Sequence, residues 1–273
     1  MAKNGEKMSI RRISIIGAGN VATQLGAHLL HCGLEIVEVL ARENSARLHD
    51  LAAALGARPC VNISELSVVD LIIVAVSDGA ISSVAAAIAA AIAGEEKLRD
   101  LLCVHTSGAT AMAVFAPFLA NYGSFYPLQT FSVGRQIDMS QVPICVAAAR
   151  ADSEEKLLNL AALLSPKVQI ISDAQRAKLH VAAVMVNNFS NHLFYLAGEL
   201  CAQNEVDFAI LQPLIVETVA KLAELSPKQA QTGPARRGDM ATISQHEKQL
   251  AANPKTLEIY RLLSQSIMDT YKQ

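Results

Sequence analysis

The sequence predicts an α/β architecture, a doubly wound parallel sheet in the N-terminal part followed by an all-α C-terminal part. Three observations predict it. Short apolar runs alternate with helical patterns from Ile13 to Ile171, the rhythm of βαβ units around a parallel sheet. Hydrophobic residues make up 52% of the chain, yet aromatics only 4%, and Trp is absent. The apolar mass is therefore Ala, Leu, Ile and Val, which suits strands buried on both faces. From Ser172 onward no run reads convincingly as a strand.

The first strand lies in ISIIGAGNVATQL (Ile13–Leu25) and runs straight into a glycine turn. A helical pattern through Leu25, Leu29 and Leu30 comes after it. Glu35–Leu40 reads as the second strand, Ala46–Leu55 as a helix and Arg58–Val61 as a short third strand. Asp70–Val76 is the clearest buried strand, and Ser77-Asp78-Gly79 punctuates it before a helix through about Ile92. Leu101–Val104 forms the next strand, then another helix is expected before Ser124–Tyr126. Ile144–Ala148, a helix over Glu154–Leu164 and a strand at Val168–Ile171 complete this half. Ser172-x-x-Gln175 is a capping-box pattern that opens a long helical run to about Gln203. Asp207–Leu225, Ser244–Ala252 (with Ser244-x-x-Glu247 as its cap) and Thr256–Met268 read as further helices. The domain boundary therefore falls near Ile171, giving 1–171 and 172–273.

Composition excludes several classes. Net charge is −2, with 23 basic against 25 acidic side chains, so neither a nucleic-acid footprint nor a polybasic membrane patch is present. Asp70, Ser77, Asp78 and Gly79 interrupt the most membrane-like window, Val68–Ala93, which reads as a strand and an Ala-rich helix. The five cysteines are widely spaced and never form CxxC, arguing against disulfides and a metal site. MAKNGEKMSIRR has no apolar stretch behind it. A cytoplasmic, reducing setting is the expectation.

The chemistry starts at the glycine turn. A strand that ends in Gly17-Ala18-Gly19-Asn20-Val21-Ala22 and opens a helix leaves backbone N–H groups unpaired at the positive end of the helix dipole. That is a seat for a dinucleotide's pyrophosphate, with Gly17 for the tight turn and Gly19 for phosphate approach. Ala22 stands where a third glycine would allow close helix–strand packing. An acid after the second strand would select NAD by its ribose 2′-OH, whereas arginine accommodates the 2′-phosphate of NADP. The chain has Arg42 there, with Ser45 behind it, which favours NADP over NAD. Val76, Ser77 and Asp78, and Ser107 and Gly108, end two further strands on the functional edge of such a sheet. Ser107 is the candidate for a catalytic contact.

Along the long helical run, His180, Asn187, Asn188 and Asn191 recur at helical spacing and place a polar stripe on one face, with Met185 and Phe189 elsewhere to pack. His180 is a candidate proton donor, because imidazole titrates near neutrality. Asn188 is a candidate catalytic contact, and Asn187 and Asn191 are candidate substrate ligands. In Thr232–Asp239, Gly and Pro fix a turn that presents Arg236 and Arg237, a pair suited to a carboxylate or phosphate.

With these motifs assembled, the chain resembles the Rossmann-like NADP oxidoreductases that carry a C-terminal helical domain of uncharacterised function, relatives of the deazaflavin-dependent NADP reductases. GAGNVA (17–22), VAVSD (74–78), HTSGA (105–109), YPLQTFS (126–132), HVAAVMVNNF (180–189) and TGPARRGD (232–239) carry the resemblance. It is similar, more distantly, to pyrroline-carboxylate reductases, prephenate dehydrogenases and the 6-phosphogluconate dehydrogenase superfamily. The resemblance implies an NADP-binding N-terminal domain, a helical domain that forms a homodimer, and a small-molecule site in the cleft between domains. Gln129 in YPLQTFS joins the candidate substrate ligands. Tyr126 stands where relatives commonly have histidine before the proline, and so becomes the candidate donor in its place. The expectation is hydride transfer between NADP(H) and a small carbonyl, imine or acid, or a deazaflavin. Two other readings remain open: a non-catalytic NADP(H) sensor acting through its helical part, and an NAD-dependent hydroxy-acid dehydrogenase.

Overall fold

Eight strands form one sheet: β1 (Arg12–Ile16), β2 (Glu35–Leu40), β3 (Arg58–Cys60), β4 (Leu71–Val74), β5 (Leu102–His105), β6 (Tyr122–Pro127), β7 (Ile144–Ala148) and β8 (Val168–Ile170). Their order is β3-β2-β1-β4-β5-β6-β7-β8, in a computed structural model that describes residues 10–94 and 100–272. Part of the opening segment, residues 1–9, therefore lies outside the described residues. The first six strands are parallel, and the order reverses between β1 and β4. Such a reversal opens a crevice at the carboxyl ends of the strands.

Alternation along β4 explains why helices cover both faces. Leu71 and Ile73 join one core with Leu25 and Leu29 of α1 (Asn20–His31) and Leu51 and Leu55 of α2 (Ala46–Leu55). Ile72 and Val74 join the opposite core with Ile81, Ala85 and Ile88 of α3 (Ile81–Ile92). A two-residue period sends successive side chains to opposite faces, so a strand apolar at every position demands two layers of helix. α4 (Ala151–Leu164) adds Leu157 and Leu160 to the first core.

The structure corrects the expectation of a wholly parallel sheet. β7 runs antiparallel to β6, and β8 then pairs parallel with β7. Between β6 and β7 the chain forms only a 3-10 turn, Met139–Gln141, and lacks the crossover helix that parallel neighbours require. The helix expected before β6 is likewise only a 3-10 turn, Met112–Phe115.

The capping box at Ser172 and Gln175 forms and opens α5 (Asp173–Ala183). A π-helical stretch, Val184–Phe189, then interrupts the expected single helix before α6 (Ser190–Gln203). Each i→i+5 turn delays the rotation of the helix beyond it. The spacing that put His180 and Asn191 on one stripe therefore does not carry through, and Met185 and Phe189 are each 59% exposed.

Contacts divide the chain into Met1–Asn187 and Asn188–Gln273. The division falls after α5 rather than at the Ile171–Ser172 change of rhythm, because α5 bonds to the sheet unit through Asp173, Arg176 and His180. The second unit is all helical: α6 leads into α7 (Gln212–Ala220), α8 (Pro227–Ala230), α9 (Pro234–Arg237), α10 (Met240–Gln249) and α11 (Pro254–Tyr271). The expected helix over 207–225 is broken into 3-10, α and 3-10 pieces. Asp239, not Ser244, caps α10, its carboxylate accepting the Thr242 N–H. Among the described residues of this unit only Ala230, Ala235, Ile243, Leu250 and Ser264 are buried, while Ile210, Leu214, Val216 and Leu262 are 63–71% exposed. All five cysteines are free, and no described helix is long and apolar enough to cross a membrane.

A buried carboxylate paired with the half-exposed Arg58 ties the sheet edge together. Glu38 is fully buried on β2. It accepts from Ser14 Oγ at 2.8 Å, Arg58 at 2.6 Å, and the Ser67 N–H and hydroxyl, both at 2.9 Å. Burial pushes its carboxyl up, but the Ser67 N–H, Arg58 and the two hydroxyls outweigh burial and leave it below the ordinary 4.5. Glu38→Gln is expected to lower stability by about 2 kcal/mol at neutral pH, read by urea melts. A group whose folded pKa is depressed stabilises above its unfolded value and loses that effect as pH falls through the folded one. The gap between native protein and variant should therefore narrow below pH 4.5, and a gap constant down to pH 3 would refute the charged state of Glu38.

Candidate functional site

The crevice where strand order reverses is a groove of about 880 Å³. Gly17, Ala18 and Gly19 line it after β1, Arg42 and Ser45 after β2, and Val76 and Ser77 after β4. Local geometry explains the glycines. Gly17 has φ +120°, and a Cβ there would collide with the Ala75 carbonyl, whose carbon would lie at 2.8 Å. Gly19 is different: its backbone is extended, and nothing lies within 4 Å of where its Cβ would be. That opening leaves room for a ligand against the backbone. No side chain caps α1, and no acid occupies its first turn, so N–H donors and the helix dipole face the groove unopposed. Ala22, in the first turn of α1, is 1% exposed against the core, the close-packing position its residue type implies.

Two cations line the groove. Arg42 bonds Glu43 at 3.0 Å, with side chains 92% and 73% exposed; a pair so exposed holds its arginine weakly. Arg47, which sequence reasoning missed, also lines the groove and donates to Asn20 Oδ1 at 2.7 Å. Asn20 in turn donates to the Phe131 carbonyl at 2.9 Å. Its amide thus ties the glycine turn to Arg47 and to the loop after β6. A residue inside a helix reads from sequence as a solvated charge, and only the fold brings Arg47 to the turn. Ser45 caps α2, accepting the Leu48 N–H. Asp78 opens a 3-10 turn, Asp78–Ala80.

A second cluster lies at the ends of β5 and β6. Ser107 Oγ accepts from the N–H groups of Ala109 and Thr110 at 3.1 and 2.9 Å. This fixes the loop that presents Gly108. Tyr126 Oη lies 3.2 Å from His180 Nδ1, with the rings edge to face. Gly108 packs beneath both: a Cβ there would approach His180 Nδ1 to 2.5 Å and Tyr126 Cζ to 2.7 Å. Burial pushes the Tyr126 phenol above its ordinary value, the charge of Arg176 opposing, so it keeps its proton through the neutral range. His105 is fully buried, and burial, aided by Arg176, lowers its pKa to about 4. It is neutral at working pH, and its Nδ1 accepts the Ser107 N–H at 3.2 Å. Sequence reasoning named Tyr126 and His180 separately; their contact spans 54 residues and has no local signature.

Of the remaining candidates, Gln129 and Asn187 belong to the first unit and Asn188, Asn191, Arg236 and Arg237 to the second. Gln129 is exposed, its Oε1 accepting from Thr130 N at 2.8 Å. Asn187 and Asn188 fall in the π stretch, exposed, and Asn191 lines a small hollow in the second unit with Phe194, Tyr195 and Phe208. Arg236 donates to the Gln231 carbonyl and stacks over Tyr271, 5.2 Å from its centroid, while Arg237 is exposed at the end of α9. Among the described residues, no group of three or more His, Cys, Asp and Glu side chains could hold a metal ion.

Comparison with known proteins agrees with this geometry. Residues 12–98 match the family described as "NADP oxidoreductase coenzyme F420-dependent", and residues 142–267 match a domain of unknown function, DUF2520. Among solved structures, the candidate NADP oxidoreductase BF3122 from Bacteroides fragilis is 37% identical, covers 97% of this chain and 100% of its own, and superposes with a TM-score of 0.87. The protein TM1727 from Thermotoga maritima is 19% identical, over 95% and 98% of the two chains, with a TM-score of 0.70. An imine reductase from Streptomyces aurantiacus is 17% identical, over 96% and 100%, with a TM-score of 0.65. The last two show the fold alone. No curated protein matches the chain.

Proposed function

Since this chain belongs to the NADP oxidoreductase family of BF3122, we propose that it binds NADP(H) in the Gly17–Gly19 groove and reduces a small carbonyl or imine. The observation that carries the proposal is the groove itself: an open glycine face at an uncapped helix start, with Arg42 and Arg47 on its rim. The residues fit the cofactor. Backbone N–H groups of the 17–22 turn take the pyrophosphate, and Arg42, Arg47 and Ser45 take the 2′-phosphate. Ser77, Asp78, Ser107 and Gly108, at the strand ends, flank the nicotinamide.

NADPH, when bound, supplies the hydride; the protein supplies orientation and the proton. Tyr126 and His180 share a proton along the Oη–Nδ1 line. One of them delivers it to the substrate's oxygen or nitrogen, and the other replaces it. The amides of Gln129, Asn187, Asn188 and Asn191, and the guanidinium groups of Arg236 and Arg237, are the substrate contacts of the proposal. The chain acts as a homodimer: α6 and α7 are apolar yet bury no residue, and a second copy would cover the bare face.

The first test titrates the purified protein with NADPH and NADH by nicotinamide fluorescence. Arg42→Ala is expected to weaken NADPH about thirtyfold, the loss of about 2 kcal/mol of charge-assisted bonding, and to leave NADH nearly unchanged. Equal loss for both would overturn the 2′-phosphate assignment. Turnover is then measured with a panel of cyclic imines, keto acids and a deazaflavin. Tight NADPH binding with no turnover across the panel would favour a sensor over a reductase.

A further inference from the structure

We propose that Arg176 is the positioning residue of the Tyr126–His180 pair, holding α5 in the register that sets His180 against Tyr126; this rests on the proton-donating role proposed for that pair. Arg176 is 1% exposed, the largest of the fully buried side chains. Burying a guanidinium is costly unless its bonds are made inside the protein, so what it bonds matters. Its Nη1 donates to Ser124 Oγ at 2.7 Å, and its Nη2 to the Thr110 carbonyl and to Asp173 Oδ1. Asp173 Oδ1 also accepts the Met112 N–H at 3.0 Å.

Spacing turns these bonds into a clamp. Arg176 and His180 are four residues apart on α5, one turn along the same face. Ser124 and Tyr126 are two apart on β6, on one face of the sheet. The helix thus meets the strand through two rungs, Arg176 on Ser124 and His180 on Tyr126. Three elements meet at the first rung, because Thr110 belongs to the loop that begins with Ser107 and Gly108. The second rung is long at 3.2 Å, a single contact between two rings, and stands against Gly108, with no slack to absorb a slide. The first rung is charged, buried and bonded to three acceptors. The stronger rung sets the register, and the weaker one inherits it. Neither Ser124 nor Thr110 lines the groove, so the bonds of Arg176 do not reach it directly.

The test reads His180 directly. Long-range ¹H–¹⁵N correlation of the histidine rings, assigned with His180→Gln, reports the Nδ1 hydrogen bond, and Tyr126→Phe gives its value with the partner removed. In Arg176→Met the His180 signal is expected to move most of the way to the Tyr126→Phe position. Arg176→Lys keeps a buried cation and should restore part of the native value. NADPH binding should stay within about threefold in both, while kcat on any imine that turns over should fall by about tenfold or more at unchanged KM for NADPH. A folded Arg176→Met protein with a native His180 signal overturns the proposal. If neither Arg176 variant folds, Ser124→Ala decides, since it removes only the acceptor on β6: a displaced signal supports the clamp and a native one overturns it. Because the spectrum is read without substrate, a displaced signal in an enzyme that turns nothing over would sink the reductase reading and leave the clamp standing.

Discussion

Gly17→Ala is expected to cost about 3 kcal/mol of stability and to abolish measurable NADPH binding. At φ +120° an L side chain is strained whatever the space around it, and here there is no space, because the new methyl meets the Ala75 carbonyl. That carbonyl cannot give way freely. Ala75 N–H donates to the Ile16 carbonyl and Gly17 N–H to the Leu40 carbonyl, both at 2.7 Å. The turn is therefore stitched to β2 and to the end of β4 at the point where the groove opens. Moving it would shear the ends of three strands. Gly19→Ala supplies the contrast. Its backbone is extended and its Cβ site is open, so stability should fall by no more than about 1 kcal/mol. NADPH affinity should still fall by roughly a hundredfold, because the methyl occupies the space that a phosphate needs. Urea melts and fluorescence titration on the two variants separate a glycine required by the fold from one required by the ligand. Full NADPH binding by Gly19→Ala would mean that no phosphate approaches that face.

Much of this was legible from local pattern, and the exceptions share a cause. Short apolar runs locate all eight strands, and the turn at Gly17–Ala22 lies where the sheet reverses. Local pattern cannot say which way β7 runs, because direction depends on whether the connection crosses the sheet, and the segment after Pro127 has no helical period to carry it across. The π stretch is invisible to a 3.6-residue count. Val184, Val186, Asn187 and Asn188 are weak helix formers, and that is where the α pattern yields. Arg176 and Arg47 read as solvated charges on helix faces. One is buried and the other bonded to the glycine turn only because long-range pairing puts Ser124 and Asn20 beside them. Sequence periodicity thus finds the layers, and the site is made of contacts between layers.

Tyr126→Phe is expected to lower kcat for imine or carbonyl reduction by about a hundredfold or more, with NADPH affinity unchanged. The substitution keeps the ring, which is 8% exposed against Cys145 and Ile171, so packing survives and only the hydroxyl is lost. Burial holds the phenol above its ordinary value of 10. Reduction by the native enzyme should accordingly show no loss of a proton donor between pH 7 and the ordinary phenol value, and an alkaline limb only beyond it. The Phe variant should lack that limb, since no phenol remains to titrate. His180→Gln should lose a comparable factor, and the double variant little more than the worse single one, because two groups that pass one proton act as a unit. Losses that multiply in the double variant would mean the two side chains act separately. A Tyr126→Phe enzyme running at native rate would remove this hydroxyl from the chemistry and leave His180, or a bound water, as the source of the proton.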